Sequence, residues 1–257
     1  MDSADLPRLI GLVGISPLGA AIATRLAAQG LRLVAYDPEP VFRARLAGCS
    51  RLIEMAPGLA DVGHDCEWVL STLDGGALSA LMLGGGDRAG LGLLLAPGSQ
   101  VVDMGASSPH DARRLAAILG SRGIGLLDAP ALGTPEDAKA GRLTIPLGGF
   151  PDFVDRVTPL LQMLGSVTPA GQIGTGHSLA ALLTAKVAAE ARLAADLSAL
   201  AASAGIATPL PLGGARSRMS GAAGFGEADH DAATAIRLAV AHGLAEQHGR
   251  VALPHVG

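Results

Sequence analysis

Short apolar runs and helical spacings alternate along the first part of this 257-residue chain. "RLIGLV" (8–13) predicts a strand, and Pro17 to Gln29 has helical spacing stopped by Gly30. "LRLVAY" (31–36), "EWVLSTL" (67–73) and "QVVDM" (100–104) continue the strand series. "HDARRLAAILGSRG" (110–123) predicts a helix with a glycine stop, and "IGLLDAP" behind it another strand. Such alternation implies βαβ units and an α/β, Rossmann-type, mainly parallel sheet covered on both faces.

The pattern changes after residue 176. Ser178 to Ala204 has no Gly or Pro, is dominated by Ala and Leu, and carries charge only at Lys186, Glu190, Arg192 and Asp196. It predicts one long helix, apolar around most of its circumference and buried on more than one side. Gly205 and "TPLPLGG" (208–214) end it, "RSRMSGAAGFGEADHD" (216–231) is a small-residue loop, and Ala232 to His248 predicts a last helix. The expected division is an α/β domain over 1–167 and an all-α domain over 168–257.

Composition narrows the class. Hydrophobic residues make up 49% and charged residues 16%, which favours a well-buried core, and with only 2% aromatics that core must be Leu, Ala, Val and Ile. A net charge of −4 with no basic block removes the footprint of a nucleic-acid binder. Asp87 and Arg88 interrupt the apolar stretch Ala77–Ala96, so no membrane span is expected, and the acidic "MDSADLPR" is not a signal peptide. Cys49 and Cys66 have no metal or CxxC spacing and fit a reducing cytoplasm.

"GISPLG" (14–19) stands between a strand and a helix, where a G-x-G-x-x-G fingerprint belongs. Gly14 supplies the tight turn and Gly19 the close helix–strand packing. Ser16 replaces the middle glycine, so its hydroxyl either contacts a phosphate or its Cβ crowds the pyrophosphate. Asp37 closes the next strand, where an acid accepts from the ribose hydroxyls and repels a 2′-phosphate, favouring NAD over NADP. Ile15, Pro17, Leu18 and Pro38 complete this part of the candidate cofactor site. The alternative is an ordinary βαβ turn without a ligand.

With these residues assembled, the chain resembles the β-hydroxyacid dehydrogenase family of 3-hydroxyisobutyrate dehydrogenases and tartronate semialdehyde reductases, to which imine reductases are related. "IGLVGISPLGAAIATRLAAQGLRLVAYDPEP" is similar to its opening and "VVDMGASSPHDARRLA" to its middle motif. "LLDAPALGTPEDAKAGRLTIPLGG" resembles its substrate loop and "GQIGTGHSLAALLT" the start of its catalytic helix. The resemblance covers roughly residues 8 to 205, and the part beyond matches poorly, as a shortened region. It implies a cofactor site that also takes in Leu73, Asp74, Ala106 and, loosely, Arg237, a substrate site at Gly105, Leu132, Gly133, Thr134 and Ala180, and a homodimer. The departures fall where that family does its chemistry. Gly105 and Ala106 stand in place of Ser-Thr, Leu132 of a serine, Thr134 of a glycine, Ala180 of the catalytic lysine, and Leu183 and Thr184 of two asparagines.

Alanine can neither accept nor donate the proton that accompanies hydride transfer, a contribution of about 10²–10⁴-fold. Lys186 lies six residues further on, about 240° around the helix, and faces elsewhere. His177 and Thr184 share the face of Ala180 and are the candidate catalytic residues, although a histidine in the first turn is equally a structural cap. Ser107 and Ser108 show no His/Asp partners in the sequence, and capping ahead of Pro109 accounts for Ser108. The "EADHD" segment (227–231) is expected to be solvated rather than metal-binding. Three functions stay open: an NAD-dependent reductase of a C=N compound, an enzyme of hydroxy acids or aldehydes using another proton donor, and a silent member that binds a nucleotide, metabolite or partner.

Overall fold

The computed structural model describes residues 6–86 and 88–205. β1 (Leu9–Val13), α1 (Pro17–Ala28) and β2 (Arg32–Tyr36) are followed by the short α2 (Pro40–Arg43), a 3-10 turn over Ala44–Leu46 and β3 (Ile53–Met55). Next come α3 (Leu59–Asp65), β4 (Trp68–Ser71) and α4 (Gly75–Leu83). A small ribbon of β5 (Gly84–Gly85) and β6 (Arg88–Ala89) leads to α5 (Leu91–Leu94) and β7 (Gln100–Asp103). Then follow α6 (Pro109–Gly120), β8 (Gly125–Asp128), α7 (Pro135–Ala140), β9 (Leu143–Gly148), α8 (Pro151–Gln162), β10 (Gly165–Gly171) and the long α9 (Thr175–Ser203).

Eight strands form one sheet in the order β10-β9-β8-β7-β4-β1-β2-β3. All neighbours run parallel except β8 and β9, which meet antiparallel at Asp128 and Gly148. The mainly parallel Rossmann-type sheet is therefore present, with its last two strands reversed. β1 has β2 on one side and β4 on the other, so the winding changes direction there; ligands of open α/β sheets bind at such a point, outside the carboxyl ends of the strands.

The apolar strand runs are explained by burial on both faces. Ile10 and Leu12 of β1 face one core with Ile22 and Leu26 of α1, Trp68 and Leu70 of β4, and Leu160 of α8. Val13, Val69 and Val101 face the other with Met82, Leu91, Leu115 and Leu119. The two helix starts flagged in the sequence are locally encoded: Ser16 and Ser108 accept from the backbone N–H groups of Gly19 and Asp111, each ahead of a proline.

Residues 131–171 carry α7, β9, α8 and β10, none of which the alternation had marked. β9 contains Pro146, which removes a ladder donor and disguises the strand. β10 takes the sheet past the expected boundary at 167, and the first compact unit runs on to Ala180, with a second beginning at Ala181. In that second unit, the part of α9 beyond Ala180 exposes Leu182, Leu193 and Leu200 by 50%, 59% and 64% in the single chain. Lys186 there pairs with Glu190 one turn on. The expected last helix, the 227–231 segment and Arg237 lie outside the described residues. No described helix is long and apolar enough to cross a membrane.

Candidate active site

The glycine-rich turn is built as its residues suggest. Gly14 follows β1 with φ +89°, a backbone conformation that disfavours any side chain, and a Cβ there would press on Leu73. At Gly19 a Cβ would collide with the Thr72 hydroxyl and the Gly14 carbonyl, while Thr72 itself donates to that carbonyl at 2.7 Å. These contacts hold the start of α1 against the end of β4, and the cradle fits a dinucleotide phosphate approaching a helix N-terminus. Ser16 spends its hydroxyl on the Gly19 N–H at 3.0 Å, so its first task is capping. Ile15 is fully buried, Leu18 half-buried and Pro17 exposed.

Asp37, 3% exposed, sits at the end of β2. One of its carboxylate oxygens accepts from the Ile15 N–H and the other from the Glu39 N–H, so the acid braces the turn as well as lying beside it. Pro38 is exposed. Two cations that the sequence had not singled out flank Asp37. Arg43 donates to the Asp37 carbonyl and lies over Tyr36, and Arg45 donates to the Ile15 carbonyl and lies over Phe42.

The loops after β4 and β7 lean on each other. The Gly75 N–H donates to the Ala106 carbonyl at 2.9 Å, and Gly75 has no room for a Cβ beside Ser107. Leu73 is half-buried, and Asp74, exposed, caps α4 through the Ala77 N–H. At Gly105 a Cβ would overlap the Leu73 carbonyl oxygen outright. The missing side chain at 105 is therefore a packing requirement of this chain, because the neighbouring loop occupies the space.

The predicted substrate loop is tied down as well. Leu132 exchanges two backbone hydrogen bonds with Thr144, both at 2.9 Å, and Gly133 adopts φ +146° against Leu143. Thr134 is the N-cap of α7 in a capping box with Asp137, which also pairs with Arg142 at 3.0 Å. The Thr134 hydroxyl is thus committed to the helix start.

His177 lies in the first turn of α9, 4% exposed, between two buried carboxylates. Its Nε2 is 3.1 Å from Asp103 Oδ2 at the end of β7. The same oxygen accepts the Ser107 hydroxyl at 2.6 Å, and Asp103 Oδ1 accepts the Gly105 N–H. Ser107 therefore does have an Asp partner, contrary to the expectation from sequence, and is linked to His177 only through it. Asp103 and Ser107 are four residues apart along the chain, and strand order brings only His177 to them. Because the aspartate stands in the middle, the histidine is not placed to deprotonate the serine directly.

Asp128, at the end of β8, accepts the Gly174 N–H at 2.8 Å and the His177 N–H at 2.9 Å. Burial pushes its carboxyl above the ordinary range, against the opposing pull of His177 and the two backbone donors. Ala180 is buried at 7% exposure, and Thr184 is half-buried in the second unit. Cys66 offers no nucleophile, since burial beside Asp65 pushes its thiol up to about 12. Among the described residues no cluster of metal-ligating side chains occurs.

Comparison with known proteins agrees with this geometry. Residues 9–174 match the model of the NAD binding domain of 6-phosphogluconate dehydrogenase. An NAD-dependent L-serine dehydrogenase of Pseudomonas aeruginosa is 31% identical over 172 residues, covering 65% of this chain and 55% of that protein. The chain spans about half the length of the curated relatives it matches. Two solved structures share the fold. A 3-hydroxyisobutyrate dehydrogenase of Mycobacterium tuberculosis with L-serine has a TM-score of 0.72 at 21% identity, covering 79% of this chain and 68% of that one. An imine reductase variant of Myxococcus stipitatus with NAD+ has a TM-score of 0.69 at 17% identity, covering 78% and 68%.

Two outcomes are expected from this geometry. Gly105→Ser, which would restore a hydroxyl at that position, should lower stability by about 1–3 kcal/mol in urea denaturation, because the Leu73 carbonyl must move. The second concerns pH. A carboxyl whose folded-state pKa is raised contributes stability that is fully present below its unfolded value and lost as pH rises through the folded one. Asp128→Asn has no such proton to lose. The stability gap between the wild type and this variant should therefore be widest at or below the ordinary carboxylate range, about pH 4, and narrow as pH rises above it. A gap that widens with pH would contradict the dominance of burial.

Proposed function

Because the chain belongs to the family of the NAD binding domain of 6-phosphogluconate dehydrogenase, we propose that it is an NAD(P)-dependent oxidoreductase with an altered, more apolar pocket, reducing a C=N or C=O compound. The observation that carries this proposal is the glycine turn, braced by Asp37 and Thr72 at the point where the sheet changes its winding direction. Gly14 to Gly19 and Asp37 would hold the dinucleotide, and Leu73, Asp74 and Ala106 would border it further along the strand ends. When bound, the nicotinamide supplies a hydride. This chain's residues orient the acceptor and handle its proton.

NAD(H) is the proposed preference. Asp37 places a negative charge where a 2′-phosphate would lie, and Arg43 and Arg45, the cations such a phosphate would recruit, already donate to backbone carbonyls. Gly105, Leu132 and the buried Ala180 present neither hydroxyl nor cation to a carboxylate. An unpaired carboxylate buried there would cost several kcal/mol, on the order of the desolvation of one ion. The substrate is therefore neutral or cationic and mostly apolar, in keeping with the imine reductases that share the fold. A catalytically silent, nucleotide- or partner-binding protein is the second reading, favoured by the closure of the Leu73–Gly75 loop on Gly105 and Ala106.

Calorimetry should find NADH bound more tightly than NADPH. With NADH present, turnover should appear on a panel of apolar ketones and cyclic imines, while 3-hydroxyisobutyrate, glycerate and tartronate semialdehyde should show negligible turnover. Robust oxidation of 3-hydroxyisobutyrate or glycerate would overturn the pocket assignment, and failure to bind either dinucleotide would favour the silent reading. The exposed leucines of α9 support a homodimer, and a single-chain mass by light scattering across the micromolar range would contradict it.

A further inference from the structure

Resting on the oxidoreductase reading, we propose that Ser107 is the proton donor of this site, recharged through Asp103 from His177. Ser107 is the half-buried end of a three-residue chain whose other members are almost completely enclosed, Asp103 at 1% and His177 at 4% exposure. Its hydroxyl is 2.6 Å from Asp103 Oδ2, which in turn is 3.1 Å from His177 Nε2. The 2.6 Å separation is that of an O–H···O⁻ bond, about 2.5–2.7 Å. Ser107 follows β7, and the order β7-β4-β1-β2 places that strand end on the far side of the glycine turn from Asp37. A dinucleotide held at its adenosine end by Asp37, with its pyrophosphate at Gly14 to Gly19, would extend toward β4 and β7.

The step balances without any further reactant. Hydride addition to the carbon of a C=O or neutral C=N group moves the π pair onto oxygen or nitrogen, so the substrate carbon gains two electrons and the nicotinamide loses two. The His177 imidazolium first gives its proton to Asp103 Oδ2. The neutral carboxyl then donates to Ser107 Oγ, whose own O–H turns from Asp103 to the heteroatom, and as the heteroatom takes that proton Ser107 Oγ takes the one on Asp103. Serine and carboxylate end as they began, and His177 ends neutral. The charged groups facing His177 are Asp103 from β7 and Asp128 from β8, and Arg113 of α6 lies against Gly174 in the same turn. An alanine at 180 is then no obstacle, because the proton comes from the strand side of the site.

The test uses the full chain and two readouts. In the first, nuclear magnetic resonance of labelled histidine follows the titration of His177 without cofactor. Ser107→Ala should move its midpoint upward, because Asp103 loses a donor and holds the imidazolium more strongly. In the second, reduction of the ketone and imine panel by NADH is followed against pH. The wild-type rate should fall as pH rises through the midpoint of His177. Ser107→Ala should lose about 10²–10⁴-fold in kcat together with that pH dependence, and Ser107→Cys, which keeps a weak donor, should recover part of both. Turnover by Ser107→Ala with an unchanged rate and profile, or a His177 midpoint indifferent to Ser107, overturns the relay and leaves the oxidoreductase reading standing. Absence of dinucleotide binding by the unmodified chain overturns that reading, and the relay with it, whatever the histidine does.

Discussion

Two carboxylates buried at the ends of neighbouring strands, Asp103 on β7 and Asp128 on β8, receive the first turn of α9. A buried carboxylate is costly unless donors surround it, and here they do. Asp103 takes the Ser107 hydroxyl, the Gly105 N–H and the His177 ring, and Asp128 takes the N–H groups of Gly174 and His177. The N–H groups at a helix start need acceptors, and α9 obtains them from a strand end rather than from a capping residue of its own. The start of the longest described helix is thereby fixed to the ends of β7 and β8.

Around that anchor, close backbone approach replaces polar side chains. Gly105 against Leu73, Gly75 against Ser107 and Gly19 against Thr72 draw the loops after β1, β4 and β7 together. Each glycine is required by a neighbour, so the loops cannot be re-equipped one residue at a time. Loops packed in this way carry few side-chain donors, and their polar groups are concentrated in the Ser107–Asp103–His177 chain and the Asp37 corner.

Asp37 illustrates how one residue braces the turn at which the cofactor is proposed to bind. Its two accepted backbone bonds hold the glycine turn in shape and neutralise part of the cost of its burial. The same carboxylate stands at the strand end where an adenosine ribose would lie. Substituting it would therefore disturb the turn as well as the cofactor preference, and the two effects need separate measurement.

Much of the frame was legible in the chain itself. Alternating apolar runs and helical spacings imply a doubly covered parallel sheet because burial on both faces demands continuous apolar strands. Gly14 and Ser108 were readable because turns and caps are made by residues close in sequence, whereas the capping of α1 by Ser16 and the bracing of the turn by Asp37 were not foreseen. The reversed strands β9 and β10 were not, since Pro146 and the glycines mask their period. Nor was the His177–Asp103 contact legible. His177 meets Asp103 across 74 residues of sequence because β7 and β8 are neighbours and α9 begins at their ends, whereas Ser107 lies only four residues from Asp103. The emptiness at 105 likewise reads as a loss until Leu73 is seen filling it. Periodicity and capping are local properties, carried by the sequence alone. Which carboxylate meets which imidazole, and which glycine has no room to change, follow from strand order, and only the tertiary structure decides them.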